Sequence, residues 1–148
     1  MMKQPVSKTL KETNTVFVDN GDDFLSEIYN ADKPPIGLIY TDNDEIEDGI
    51  QPSRGAATLF KMMNDEYSNT LKFVGFKYKN FFKDIPESEV PDFFWDKYAI
   101  KKIPSFLFHD IENGKIKRIE RASSGMIKPE QIRNYWNIVS SFMDKHYK

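Results

Sequence analysis

The chain contains no cysteine in its 148 residues. Disulfides, thiolate metal ligands and cysteine nucleophiles are therefore excluded whatever fold it adopts, since each of them needs the sulfur. The absence says little about compartment, because a chain without thiols is equally at home in reducing and oxidising spaces. An excess of basic charge is missing too: 21 Lys and Arg stand against 23 Asp and Glu, for a formal charge of −2. Without a basic footprint there is no general attraction to phosphate backbones, so nucleic acid is not an expected partner. No apolar run approaches the length of a transmembrane helix, and no membrane association is expected. Met1 to Asn14 is polar and lacks the apolar stretch of a signal peptide. As it stands the sequence reads as soluble and cytoplasmic, and a signal peptide removed ahead of residue 1 would instead make the protein secreted or periplasmic. Internal repeats, low-complexity tracts and inter-domain linkers are also lacking.

What is present is a core. Hydrophobic residues make up 39% of the chain and aromatic residues 14%, including 12 Phe and 7 Tyr, well above what a disordered chain carries. The length suits one domain. We expect a flexible N-terminal tail over residues 1–14 and a single domain over 15–148. Val16, Phe17 and Val18 form a short first strand closed by the turn signal Asp19-Asn20-Gly21. Asp22 can cap a helix with Phe24, Leu25, Ile28 and Tyr29 on one face. Ile36 to Tyr40 suits a central strand buried on both faces, with Gly37 permitting close packing. After an acidic stretch, Gln51-Pro52-Ser53 opens a second helix. Its stripe of Ala56, Leu59, Phe60, Met63 and Tyr67 lies against a sheet. Leu71 to Tyr78 is a strand, residues around Asp92 to Tyr98 a short helix, and Ser105 to His109 another strand. Asn113-Gly114 turns into an edge strand, Lys115 to Glu120, where Ile116 and Ile119 break alternation and indicate a bulge or shifted register. A last helix opens near Pro129 and Glu130 and buries Ile132, Tyr135, Trp136, Val139 and Met143.

The order β-α-β-α-β-α-β-β-α describes a mixed sheet covered on both faces. The run Tyr98-Ala99-Ile100-Lys101-Lys102-Ile103-Pro104-Ser105-Phe106-Leu107-Phe108, followed by Asn113-Gly114-Lys115-Ile116, resembles the Y-G-I-x-x-I-P-T-L-x-x-F run of the thioredoxin family and the turn that follows it. The likeness extends from about Lys33 to Phe142. It implies a thioredoxin-like α/β fold, a mixed five-stranded sheet flanked by four helices, with Pro104 cis and facing the site. Counting back from Asp65-Glu66-Tyr67, which resembles the end of the family's active-site helix, the C-G-P-C motif falls on Ile50-Gln51-Pro52-Ser53. Only the proline is kept. Gly49 stands where the family has tryptophan, and Leu38 where it has a buried acid that assists proton transfer. The acidic loop, Thr41 to Gly49, is longer than the family's connection.

Thiol–disulfide exchange needs one thiolate to attack and a second thiol to resolve the mixed intermediate, and neither Ile50 nor Ser53 supplies one. Ser53 as a nucleophile would need an adjacent base, and sequence places neither His109 nor His146 beside it. The alternative is a residue that simply starts a helix, and no catalytic residue is assigned. A binding surface survives without sulfur, because the loop before the family's proline offers backbone groups to an extended peptide. Ile50, Gln51, Pro52, Ser53, Ile103 and Pro104 are the candidate binding residues. Against this stands the reading that Pro104 only preserves a turn. Phe81, Phe82 and Trp95 belong to an aromatic-rich connection that is either core or interaction patch. Asp42, Asp44, Glu45, Glu47 and Asp48 form a solvated loop or, less simply, a cation or partner contact, and their spacing does not fit an EF-hand. No metal or cofactor is called for. The expected function is a redox-inactive protein- or peptide-binding module, adaptor, chaperone-type or accessory. The alternative is a non-redox enzyme on the same fold that binds a thiol cofactor such as glutathione through Ser53.

Overall fold

The computed structural model of the chain describes residues 6–41, 51, 53–78, 104–123 and 127–147. Five strands form one sheet: β1 (Thr15–Val18), β2 (Pro35–Tyr40), β3 (Lys72–Lys77), β4 (Ser105–Glu112) and β5 (Lys115–Ser123). Their spatial order is β1-β3-β2-β4-β5, with β1, β3 and β2 parallel and β4 and β5 antiparallel to their neighbours. The helices are α1 (Gly21–Tyr29), α2 (Arg54–Tyr67) and α3 (Ile132–Tyr147). These are three among the described residues rather than the expected four. The fourth, around residues 92–98, lies outside the described residues. No helix among the described residues is long and apolar enough to cross a membrane.

The sheet divides the core in two because successive side chains of a strand point to opposite faces. On one face Ile36, Leu38, Tyr40, Phe73, Phe106 and Phe108 meet the apolar stripe of α2, Met143 of α3 and the N-terminal segment. On the other, Ile39, Val74, Phe76 and Leu107 meet Phe24 and Ile28 of α1. All six residues of β2 are buried, as a central strand with both faces covered requires. Phe24 lies so close to β2 that a Cβ on Gly37 would stand 2.6 Å from its ring. Leu59, Phe60 and Met63 are all fully buried, each contributing about 1.5–3 kcal/mol of transfer free energy.

Local signals act largely as expected. Asn113 (φ 55°) and Gly114 (φ 76°) both take the left-handed conformation that a two-residue hairpin turn uses. Phe108 pairs with Glu120 but His109 with Arg118, so residue 119 is the additional one and β5 carries the bulge. Two details differ. The cap of α1 is Asn20, whose side-chain oxygen accepts from the Asp23 amide at 2.8 Å, rather than Asp22. The N-terminal stretch does not run as a free tail to residue 14. Val6–Leu10 forms a 3-10 helix whose Val6 and Leu10 are fully buried against α2, an anchorage supplied by only two apolar side chains in a polar stretch.

Candidate functional site

The carboxyl end of β2 and the start of α2 are joined through one hydroxyl. Ser53 is the residue before α2, and it makes no side-chain capping bond to that helix. Its Oγ instead accepts from the Thr41 amide at 2.9 Å and lies 3.3 Å from Thr41 Oγ1. Ser53 is 0% exposed and Thr41 2%. The hydroxyl standing where the family resemblance puts a resolving sulfur is thus enclosed and occupied by the chain's own backbone. Removing it orphans a buried amide, which costs about 1–3 kcal/mol. Ser53→Ala is therefore expected to lower the urea midpoint with an unchanged slope, and a midpoint equal to that of the parent would show that the bond contributes nothing.

Among the described residues no base stands beside this hydroxyl. His109 is fully buried, and its Nδ1 bonds the Pro35 carbonyl at 3.2 Å, which assigns the proton to Nδ1. Pro35 opens β2 and Thr41 follows its end, so at ~3.3 Å per residue the imidazole and Ser53 are on the order of 20 Å apart. His146 stands on the exposed last turn of α3 against Phe142. Below the site Leu38 is fully buried among apolar side chains, so the position of the family's proton-transferring acid holds no ionisable group.

Gln51 points inward rather than into a groove. It is 3% exposed, and its Oε1 accepts from Arg54 Nη2. The same guanidinium donates from Nη1 to Thr9 Oγ1, tying the start of α2 to the N-terminal 3-10 helix. Pro104 is buried and immediately precedes β4, whose first residue, Ser105, is fully buried and pairs with Ile39 of β2. Gln51, Ser53 and Pro104 are thereby brought to one end of the sheet. Ile50, Pro52 and Ile103 lie outside the described residues, and with Ile103 goes the peptide bond that enters Pro104. The acidic residues 42–48 and the aromatic candidates Phe81, Phe82 and Trp95 lie outside them as well.

Sequence reasoning missed how tightly this end is closed. A Cβ on Gly55 would stand 2.3 Å from the Ile127 carbonyl oxygen and 2.8 Å from the Ile127 Cβ, so the first turn of α2 is pressed against a buried residue from just before α3. A signal existed, since glycine inside a helix sacrifices about 1 kcal/mol relative to alanine and such a position needs a packing reason. Among the described residues the strongly shifted titrating groups lie elsewhere. Burial and the Asp144 carboxylate, which accepts the Tyr67 hydroxyl proton, push Tyr67 up to about 12 and link α2 to α3. Burial, then Asp110, raises Tyr147, whose hydroxyl donates to the His109 carbonyl at 2.9 Å.

The architecture is shared with a solved structure. A thioredoxin from Trichomonas vaginalis superposes with a TM-score of 0.54 at 12% identity, over 88% of this chain and 99% of that one. A Plasmodium falciparum thioredoxin gives a TM-score of 0.46 at 9% identity, over 91% and 90%. No protein-family model and no curated protein matches the sequence. The fold is thioredoxin-like, with no C-x-x-C motif and no cysteine anywhere in the chain.

Proposed function

We propose that this thioredoxin-like domain is a redox-inactive binding module that holds a polypeptide at the end of the sheet where Pro104 meets the start of α2. Thiol–disulfide exchange is closed to a chain without sulfur nucleophiles. The observation that carries the reading is the buried Ser53 hydroxyl bonded to Thr41, because it turns the former chemical centre into a brace between β2 and α2. A brace of this kind keeps the neighbouring backbone in place for an extended segment to line up beside it. Gln51, with its side chain buried against Arg54, contributes through its backbone. Pro104 supplies apolar contact, and Ile50, Pro52 and Ile103 remain the further candidate residues of this reading. The alternative, a thiol cofactor held by Ser53, gains nothing from a hydroxyl that is enclosed and already paired.

A reduced and carboxymethylated unfolded polypeptide is a suitable probe. Titrated into isotope-labelled protein, it is expected to move the amides of Thr41, Gln51, Ser53 and Ser105, with weaker binding to a Pro104→Ala variant. Shifts confined to α1 and β5 would reject this surface.

A further inference from the structure

The two edges of the sheet are built differently. β5 holds Lys115, Lys117 and Arg118 and carries a bulge, the devices by which exposed edges resist pairing with foreign chains. β1 has neither. Its residues are Thr15, Val16, Phe17 and Val18, hydrogen-bonded to β3 on one side and to no second strand among the described residues. Val16 is 37% and Phe17 45% exposed, an apolar pair at an open edge.

Beside Phe17 is a concavity of about 650 Å³ walled in part by Tyr40, Lys77, Lys8 and Lys11. The three lysines are exposed, and none is in an ion pair among the described residues. Two carboxylates, Asp19 and Asp23, share the rim and keep their charge, so three ammonium groups stand against two anions that are held by a neighbouring amide. Asn20 Nδ2 donates to Asp19 at 3.4 Å and to Asp23 at 2.9 Å, and Asp23 sits in the first turn of α1, where the helix dipole favours its charge. On a chain of net negative charge, this rim therefore carries a net positive charge, with three lysines in no ion pair among the described residues.

An open edge satisfies backbone groups, an apolar pair favours side-chain burial, and unpaired ammonium groups favour carboxylates. We infer that β1 receives an extended acidic segment of a partner protein, with apolar residues interspersed, added as a strand along its outer edge with its carboxylates near Lys8, Lys11 and Lys77. This surface lies on the outer side of β3 and meets the one proposed above only at Tyr40, the last residue of β2.

The probe is a terminally blocked (Glu-Val)4 peptide titrated into isotope-labelled full chain. Three comparators accompany it: (Lys-Val)4, oligoglutamate of equal charge, and (Glu-Val)4 with alternate amides N-methylated. Expected are amide shifts over residues 15–18 and 73–76, no binding of the lysine and N-methylated peptides, and affinity about tenfold weaker in the Lys8→Glu/Lys11→Glu variant. Both substitutions are at exposed positions, so the variant should fold. Equal binding of oligoglutamate or of the N-methylated peptide would reduce the surface to a charge effect and overturn strand addition. Unchanged affinity in the double variant, no binding of (Glu-Val)4, or shifts centred on Gln51, Ser53 and Ser105 would overturn it too. Concentration-dependent shifts of residues 15–18 without peptide would assign the edge to a second copy of the chain and replace the acidic partner.

Discussion

Gly55→Ala is expected to destabilise the protein by about 3 kcal/mol, read as a fall of roughly 10 °C in Tm. Intrinsic helix propensity argues for the opposite sign, because alanine inside a helix is favoured over glycine by about 1 kcal/mol. Geometry decides between them. The added methyl would stand 2.3 Å from the Ile127 carbonyl oxygen, and that oxygen belongs to backbone rather than to the end of a flexible side chain. Relief requires moving either the first turn of α2 or the chain leading into α3, and both are fastened. Arg54 is bonded to Thr9 and Gln51, while Ile127 is buried in the same core as Met143. Thermal unfolding checks the prediction, and a variant more stable than its parent would show that α2 and Ile127 do not touch as described.

Acidification from pH 6.5 to 4 is expected to remove about 3 kcal/mol of stability through His109 alone. Burial is the main cause, joined by the positive charge of Arg118, its partner across β4 and β5; together they outweigh the Pro35 hydrogen bond and push the imidazole down to about 4. A depressed histidine favours folding only in its neutral form. Above pH 6.5 both states are neutral there and the full stability is present. Between 6.5 and 4 the unfolded chain takes up a proton that the folded chain refuses, so stability falls as pH falls, and below 4 the loss is complete. Carboxylates add their own losses at the acid end of this range, so the diagnostic quantity is a difference between proteins. His109→Gln is expected to flatten the dependence of unfolding free energy on pH between 6.5 and 5 by up to about 1.4 kcal/mol per unit. Parallel curves for the two proteins would remove His109 as the source.

The strands, the hairpin and the bulge were legible because their signals are local. Alternation in Lys115 to Glu120 fails at Ile119, and an additional residue on β5 follows directly. The uninterrupted apolar run of β2 likewise announced its central place. Contacts across the fold were not legible. The role of Ser53 depends on Thr41, twelve residues away, meeting it at the crossover from β2 to α2, and no spacing rule reports whether a hydroxyl ends buried. The family motif offered Gln51 as a binding residue, yet its side chain turns inward to Arg54. The N-terminal anchor escaped notice because Val6 and Leu10, one helical turn apart among polar neighbours, carry too little apolar signal to announce a docked element.

The position of β1 in the sheet has a consequence for the order of assembly. As the chain leaves the ribosome, β1 has no strand to dock on until β3 has been made, because β3 is its one partner among the described residues. The hairpin of β4 and β5, by contrast, can zip up from its own turn. Until β3 follows, Val16 and Phe17 therefore travel as unclaimed sticky residues of the nascent polypeptide. Once seated, the strand is held through four register pairs along one side among the described residues, which makes it the strand expected to open first while the other four stay joined.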